Sequence, residues 1–220
     1  MEIFKPHHGL LKDLSSDAFS SELFYFSHND LLLGSNEITP STYFGFVTEG
    51  KLTLRYAGND YKLTAGMYFS SPLTLDLSSD EKGQAVIMSR LNYHGFFQVG
   101  GAVEEKGRLT YIDGCTDSLL ISPVMMGDPC LNLLHIPKGT KQSQHTHPSL
   151  RLGVIISGNG TCVTPAQNFP LTSGTVFYIP QDGKHSFHTE NDDLRVIAYH
   201  PDSDFGPTHQ NHPMVNKTIL

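Results

Sequence analysis

Three histidines, His145, His147 and His185, stand at spacings that can do chemistry. The first two sit in a frame of Gly139, five residues, His145-Thr146-His147, three residues, Arg151, six residues and Gly158. A later run has Gly174, five residues, Pro180, and His185 five positions beyond. In an extended strand, residues i and i+2 point to one face, so His145 and His147 would look the same way. A third imidazole from a neighbouring strand completes one face of a metal's coordination shell. Neutral imidazole suits Fe(II), Mn(II), Ni(II), Cu(II) or Zn(II) and does not choose among them. Three protein ligands leave positions open for water, O₂ or a chelating substrate. The plainer alternative is a set of hydrogen-bonded core histidines.

Arg151 lies an even number of residues from both histidines, so on a regular strand it faces the same interior; a bulge would break that parity. A guanidinium cannot ligate a metal and stays charged. Buried beside a cation, it needs an anionic partner. A substrate carboxylate, phosphate or enolate held by two parallel hydrogen bonds would serve. The alternatives are a protein carboxylate or an outward-turned side chain. Phe177 and Tyr178 lead toward Pro180; one of them faces the cup. An inward Tyr178 would hydrogen-bond substrate, and otherwise both are core. His188, three residues past His185, faces away from the metal on a straight strand and belongs to surface or interface. His135 alternates with Leu131 and Leu133, which favours packing or hydrogen bonding over ligation. The stretch from His200 to Met214 is too proline-broken for a strand. Phe205, Met214 and Val215 could anchor it as a cap, with His209 and His212 at the entrance or on a second metal.

The elements that position these groups are written twice. With residue n set beside residue n+108, Gly45 meets Gly153 and Gly50 meets Gly158. Leu63-Thr64-Ala65-Gly66 meets Leu171-Thr172-Ser173-Gly174, Phe69 meets Phe177, and Pro72 meets Pro180. Two motifs sharing one offset without a gap indicate a duplication. In the first copy Glu37, Thr39 and Leu77 fill the slots of His145, His147 and His185. Leucine cannot bind a metal, so the first copy has become scaffold. Glu49-Gly50-Lys51 and Gly158-Asn159-Gly160 read as hairpin turns. Short apolar runs punctuated by 20 glycines and 13 prolines argue for strands, with one weakly helical piece near Ser16–Leu23.

A chain of 220 residues suits one large β domain or two small ones. A net charge of −7 with no basic run makes nucleic acid and anionic membranes poor partners, leaving a small molecule. No apolar stretch reaches the ~18–20 residues of a membrane span, and the N-terminus lacks a signal peptide's apolar region. A cytoplasmic protein is expected. The three cysteines, Cys115, Cys130 and Cys162, form no CxxC pair and read as reduced core thiols, with metal ligation a minor alternative.

The two histidine-bearing motifs resemble those of the cupin superfamily, G-x5-H-x-H-x3,4-E-x6-G and G-x5-P-x-G-x2-H-x3-N. Gly139 to Gly158 matches the first except that Arg151 replaces the glutamate ligand. Gly174 to His185 is similar to the second, with its inner glycine displaced by one residue and its asparagine off-spacing. The resemblance implies an all-β chain of two antiparallel β-barrels of jelly-roll type: a degenerate cupin barrel over residues 1–105, a metal-binding one over 106–200 and a packed tail over 201–220. It implies a divalent metal, Fe(II) before Mn, Ni, Zn or Cu, on His145, His147 and His185. Arg151 and Tyr178 would then be the catalytic side chains and a small anion the substrate. A three-histidine centre resembles cupin dioxygenases acting on gentisate, β-diketones and thiols, hence an expected Fe(II)-dependent dioxygenase-type oxidation. Cupins also include non-redox isomerases and lyases, and binding or sensor proteins. Bicupins often dimerise, which makes a homodimer the assembly to expect.

Overall fold

Branched and aromatic side chains pack best on a pleated, half-buried surface, and runs rich in them form nearly all of the regular structure. The computed structural model describes residues 1–34, 40–212 and 214, without the side chains at 80 and 81; Glu37, Thr39 and Val215 lie outside these. In the first half, one sheet runs in the order Gly9–Leu14, Ser21–Ser27, Leu75–Leu91, Ser41–Tyr56, Tyr68–Pro72 and Gln98–Gly100. Leu31–Leu33 pairs with the third of these strands and Asn59–Thr64 with the fourth. In the second half, a sheet runs Glu2–Phe4, Val176–Ile179, Arg151–Ser157, Leu194–His200, Cys130–Ile136, Thr116–Ile121 and Leu109–Thr110. A smaller one runs Asn168–Thr172, Asn159–Val163 and Ser186–His188. All pairings are antiparallel and each sheet is an open path, the all-β jelly-roll class. The N-terminal strand crosses to the second half, with Glu2 opposite Tyr178. Among the described residues, no helix is long and apolar enough to cross a membrane.

The 108-residue offset reappears as geometry. The Gly66 N–H donates to the Val47 carbonyl at 2.9 Å, and the Gly174 N–H to that of Ile155 at 2.8 Å. Gly45 lies opposite Phe69, and Gly153 opposite Phe177. In each pair the aromatic ring covers the glycine. A Cβ would sit 2.1 Å from Phe69 Cζ at Gly45, and 2.6 Å from Phe177 Cζ at Gly153. These glycines are needed for close approach, not for a positive φ.

Two local expectations are corrected. Ser16–Leu23 is not helical: Asp13 accepts the Ser15 N–H at 2.8 Å in a turn, and Ser21 opens a strand. The buried run from Leu23 to Phe26 belongs to a strand packed on both faces, which helical spacing cannot supply. Nor are Gly50 and Gly158 hairpin turns. Ser41–Tyr56 runs through Gly50 with shifts of register, leaving Tyr68–Pro72 for Asn59–Thr64. At Gly158 the chain leaves the seven-stranded sheet for the three-stranded one. There φ is +82° and a Cβ would collide with the Asp193 carbonyl, so the glycine makes a corner between sheets.

Strand alternation separates two interiors. Leu131, Leu133, Leu152, Val154, Val176, Tyr178, Ile197 and Tyr199 pack against Leu23, Phe44, Phe46, Val86 and Met88, a core shared by both halves. At about 1.5–3 kcal/mol for each large side chain removed from water, this seam joins the halves firmly. On the outer side of the first sheet, Phe26, Tyr43, Leu54, Phe69, Leu75 and Leu77 fill the first half solidly. The corresponding interior of the second half is hollow. Leu77, in the slot of His185, is fully buried.

Candidate metal centre

The hollow in the second half is a cavity of about 300 Å³. Alternate residues of the seven-stranded sheet line it: Asn132 and Leu134, Val196, Ala198 and His200, Arg151, and Phe177 and Ile179. The intervening residues face the seam. Leu134, Phe177, Ile179, Phe187 and Val196 supply apolar walls.

His145, His147 and His185 converge at one side of this cavity, with ligand atoms all within 4.8 Å of one another. The ring centroids are 4.9, 4.6 and 5.3 Å apart. The route differs from a regular strand. The segment before Arg151 is irregular, and a single bridge fixes it: the His145 N–H donates to the His185 carbonyl at 2.9 Å, and the return bond is 3.0 Å. His147 is held by its own carbonyl, which accepts the Asp182 N–H at 2.9 Å.

The donor set fits a metal ion. His145 Nδ1 lies 2.8 Å from the Ser143 carbonyl and His185 Nδ1 2.7 Å from that of Gly183. A carbonyl only accepts, so each Nδ1 carries the proton and each Nε2 keeps its lone pair. Burial, then the nearby Arg151 charge and the other imidazoles, lowers His147 to about 3. Burial also lowers His185, to about 4, against the opposing bond to Gly183. Both are therefore neutral at neutral pH, the form that ligates. Metal–nitrogen bonds of about 2.1 Å place facial nitrogens roughly 3.0–3.4 Å apart, so a modest closing of the rings completes the set.

Arg151 lines the same cavity and is 7% exposed. Its Nη1 donates to the Ser149 carbonyl (3.1 Å), the Ser149 Oγ (2.8 Å) and the Leu150 carbonyl (2.9 Å). Its buried Nε has no partner. Among the described residues no carboxylate forms an ion pair with it. Burial lowers it from 12.5 to about 10, so it stays charged at neutral pH. Arg151 is thus inward and charged, with no carboxylate at ion-pair distance among the described residues, while Asp204 and Asp202 act on it from further off.

Tyr178 does not join this group. Alternation points Phe177 into the cavity and Tyr178 into the seam, where its ring packs with Leu150 and Leu152 and lies 5.5 Å from Lys12 Nζ. The reason is parity: Arg151 pairs with Ile179, so odd-numbered residues of that strand face inward. His188 bonds Ser186 Oγ at 3.1 Å and is absent from the cavity lining. His135 Nε2 pairs with Asp193 at 2.9 Å, a hydrogen-bonded role. The three thiols are buried and free; burial raises Cys130 to about 12 and Cys162 to about 11, so they are unreactive core groups. At the start of the tail, Asp204 and Phe205 line the cavity, and Ser203 is bonded to Asp128 and Gly127. His209 and His212 are exposed and lie outside the lining.

Sequence reasoning missed much of the lining, including His200, Asp117, Asn132 and Tyr111. The His200 ring lies 6.2 Å from that of His147, and burial, then Arg151, pushes it well below the usual imidazole range. Its parity with Val196 and Ala198 was a usable signal. For Asp117 and Asn132 there was none, because only strand pairing unites them.

Comparison with known proteins places this geometry. Residues 132–200 match a family model described as Cupin domain. Among solved structures, a cupin 2 conserved barrel domain protein from Leptotrichia buccalis has a TM-score of 0.61 at 10% identity, covering 90% of this chain and 86% of that one. A salicylate 1,2-dioxygenase from Pseudaminobacter salicylatoxidans has a TM-score of 0.63 at 14% identity, covering 89% and 77%. A variant of that enzyme in complex with gentisate has a TM-score of 0.59 at 12% identity, covering 81% and 67%. The HTH-type transcriptional activator RhaR of Escherichia coli is 38% identical over 61 residues, 27% of this chain; the match spans only 22% of that relative's length. Residues 132–200, in the hollow second half, thus carry a cupin domain, and the chain as a whole has the fold of cupin-barrel proteins.

Proposed function

We propose that this protein is a metal-dependent cupin enzyme that acts on a small anionic molecule, by Fe(II)-dependent dioxygenase-type oxidation at a three-histidine centre. His145, His147 and His185 would hold the ion, which when bound supplies a site for chelating substrate and activating O₂. The observation that carries the reading is the convergence of three imidazoles beside a buried guanidinium that no carboxylate meets at ion-pair distance. Arg151 would hold the substrate's anionic group and orient the molecule. Leu134, Phe177, Ile179 and Val196 would exclude water from the reacting end, and Phe205 would cover it. The structural likeness to a salicylate dioxygenase, one form of which is in complex with gentisate, supports hydroxylated aromatic acids as the first substrates to try. We further propose the division 1–105, 106–200 and 201–220, which the repeated glycine–phenylalanine pairs support.

Metal analysis of protein purified without a histidine tag is the first test, with about one Fe(II) per chain expected. The second is an oxygen electrode with salicylate, gentisate, β-diketones and thiols. O₂ uptake with at least one of them, lost in His147→Ala, supports the reading. Full metal occupancy without O₂ uptake on any of these classes would count against oxidation. Turnover supported by Zn(II) without O₂ would move the assignment to isomerase or lyase chemistry.

A further inference from the structure

Across the cavity wall from Arg151 lies a second polar pair that the reading above does not use. Asn132 and Arg151 stand on strands separated by Leu194–His200: Asn132 faces Ala198, which faces Gly153, and Arg151 is one inward position further along. Two strand spacings and one residue pair put their backbones about 12 Å apart. Beside Asn132, its Nδ2 donates to both oxygens of Asp117, at 3.0 and 3.2 Å. A carboxylate only accepts, so it fixes the Asn132 amide with Nδ2 toward it and Oδ1 away. That Oδ1 is buried without a partner, in a residue only 5% exposed.

Both side chains line the cavity. Among the described residues no lysine or arginine pairs with Asp117. The carboxyl sits among Leu109, Leu119 and Leu134, an apolar setting where a lone carboxylate is costly. Burial accordingly raises it to about 6, with the Asn132 bond opposing. The cavity lining therefore presents a donor without an acceptor at Arg151 Nε and, two strands away, an acceptor without a donor at Asn132 Oδ1, beside a carboxylate whose hydrogen bonds come from the Asn132 amide.

We propose that Asp117 and Asn132 form a second recognition pole, which accepts hydrogen bonds from an ammonium or hydroxyl group on a short ligand whose opposite, anionic end is held by Arg151. The inference rests on the metal–arginine reading and narrows its substrate class to acids bearing a distal donor. Asp117 touches the donor directly, while Asn132 orients the carboxylate. The pole adds specificity because a ligand lacking the donor leaves buried acceptors unpaired.

The probes are matched carboxylates of roughly three to six carbons, lengths suited to a cavity of about 300 Å³. Each length is tried without a donor, with a terminal hydroxyl and with a terminal ammonium: butanoate, 4-hydroxybutanoate and 4-aminobutanoate at four carbons. Binding is measured by titration calorimetry on the full chain loaded with Zn(II), with metal content determined on the same samples. At the best length, a donor-bearing probe should bind about tenfold or more tighter than its donor-free homologue. Asp117→Leu should erase that preference. Asp117→Asn should keep it for the hydroxyl probe and lose it for the ammonium probe. The wild-type comparison needs no variant to fold. Equal affinities within about twofold at every length, in metal-replete protein that binds the carboxylates, overturn the second pole and leave the metal–arginine reading standing. Absence of metal uptake, or of any carboxylate binding, removes both.

Discussion

Replacing Arg151 with methionine separates a functional charge from a structural one. The guanidinium is 7% exposed and held from 12.5 down to about 10, chiefly by burial. That fall corresponds to about 3 kcal/mol by which the site disfavours the charge, and it persists throughout neutral pH because the group is protonated in both folded and unfolded chains below about 10. Methionine fills similar space without charge. Against the relief stands the loss of the Nη1 bonds to Ser149 and Leu150; two N–H groups of a charged donor, shared among three acceptors, contribute together about 3 kcal/mol. The two nearly cancel, so the metal-free, ligand-free variant should lie within about 1 kcal/mol of the wild type, a change of no more than about 4 °C in Tm for a chain of this size. Its affinity for carboxylates should fall about 10–100-fold, since a charge-assisted bond is lost. Chemical denaturation and titration calorimetry on the same preparation give both numbers. If Arg151→Met instead destabilises the ligand-free protein by about 2 kcal/mol or more, the arginine is a clip for the 149–150 segment and the counter-ion argument fails.

The remaining predictions bear on the metal, the repeat and the acid. His145→Ala, His147→Ala and His185→Ala should each abolish stoichiometric metal binding, while His188→Ala leaves it intact; mass spectrometry of metal content checks both. Gly153→Ala should cost about 2–4 kcal/mol, because the new Cβ would meet the Ile197 carbonyl at 2.4 Å as well as Phe177. At Gly45→Ala the three atoms nearest the new Cβ all belong to the Phe69 ring, so adding Phe69→Leu should recover about half of its loss, read by urea denaturation. Asp117 carries a pH signature. Its folded value of about 6 exceeds the usual 3.8, so the folded chain holds a proton that the unfolded chain has lost between those values, and stability falls as pH rises through that window. Asp117→Asn should therefore stabilise the protein by about 1–2 kcal/mol at pH 8 and by almost nothing at pH 3.5, measured by denaturation at both.

The sequence revealed what local spacing encodes. The histidine trio, Arg151 and the 108-residue offset were visible because each depends on a fixed count along the chain. The interior choice between Phe177 and Tyr178 was not visible, since it hangs on the register of Arg151 against Ile179. Asp117 and Asn132 escaped notice for a related reason. They sit on adjacent antiparallel strands whose pairing shifts between Leu119 and Ile121, and no count of residues forecasts such a shift. The corners at Gly50 and Gly158 read as hairpins because a positive φ at glycine serves either purpose.

The contrast between the halves follows from a few substitutions on one frame. Both halves keep the glycine under an aromatic ring and the same bonds at Gly66 and Gly174. In the first half Leu54, Leu75 and Leu77 meet Phe26 and Phe69 and fill the space. In the second, imidazole, guanidinium, amide and carboxyl groups replace such side chains, and none of them packs like leucine. A hollow lined by groups that disfavour burial costs stability by itself, so the solid first half and the apolar seam must supply what the second lacks. Loss of the seam should then unfold the second half before the first, because the first half's interior is filled by a large apolar cluster whereas the second half's is lined by ionisable and amide groups. Hydrogen exchange in a Phe44→Ala variant, which weakens the seam at its centre, should show Cys130–Ile136 and Leu194–His200 losing protection ahead of Leu75–Leu91; the reverse order would contradict a scaffolding role for the first half.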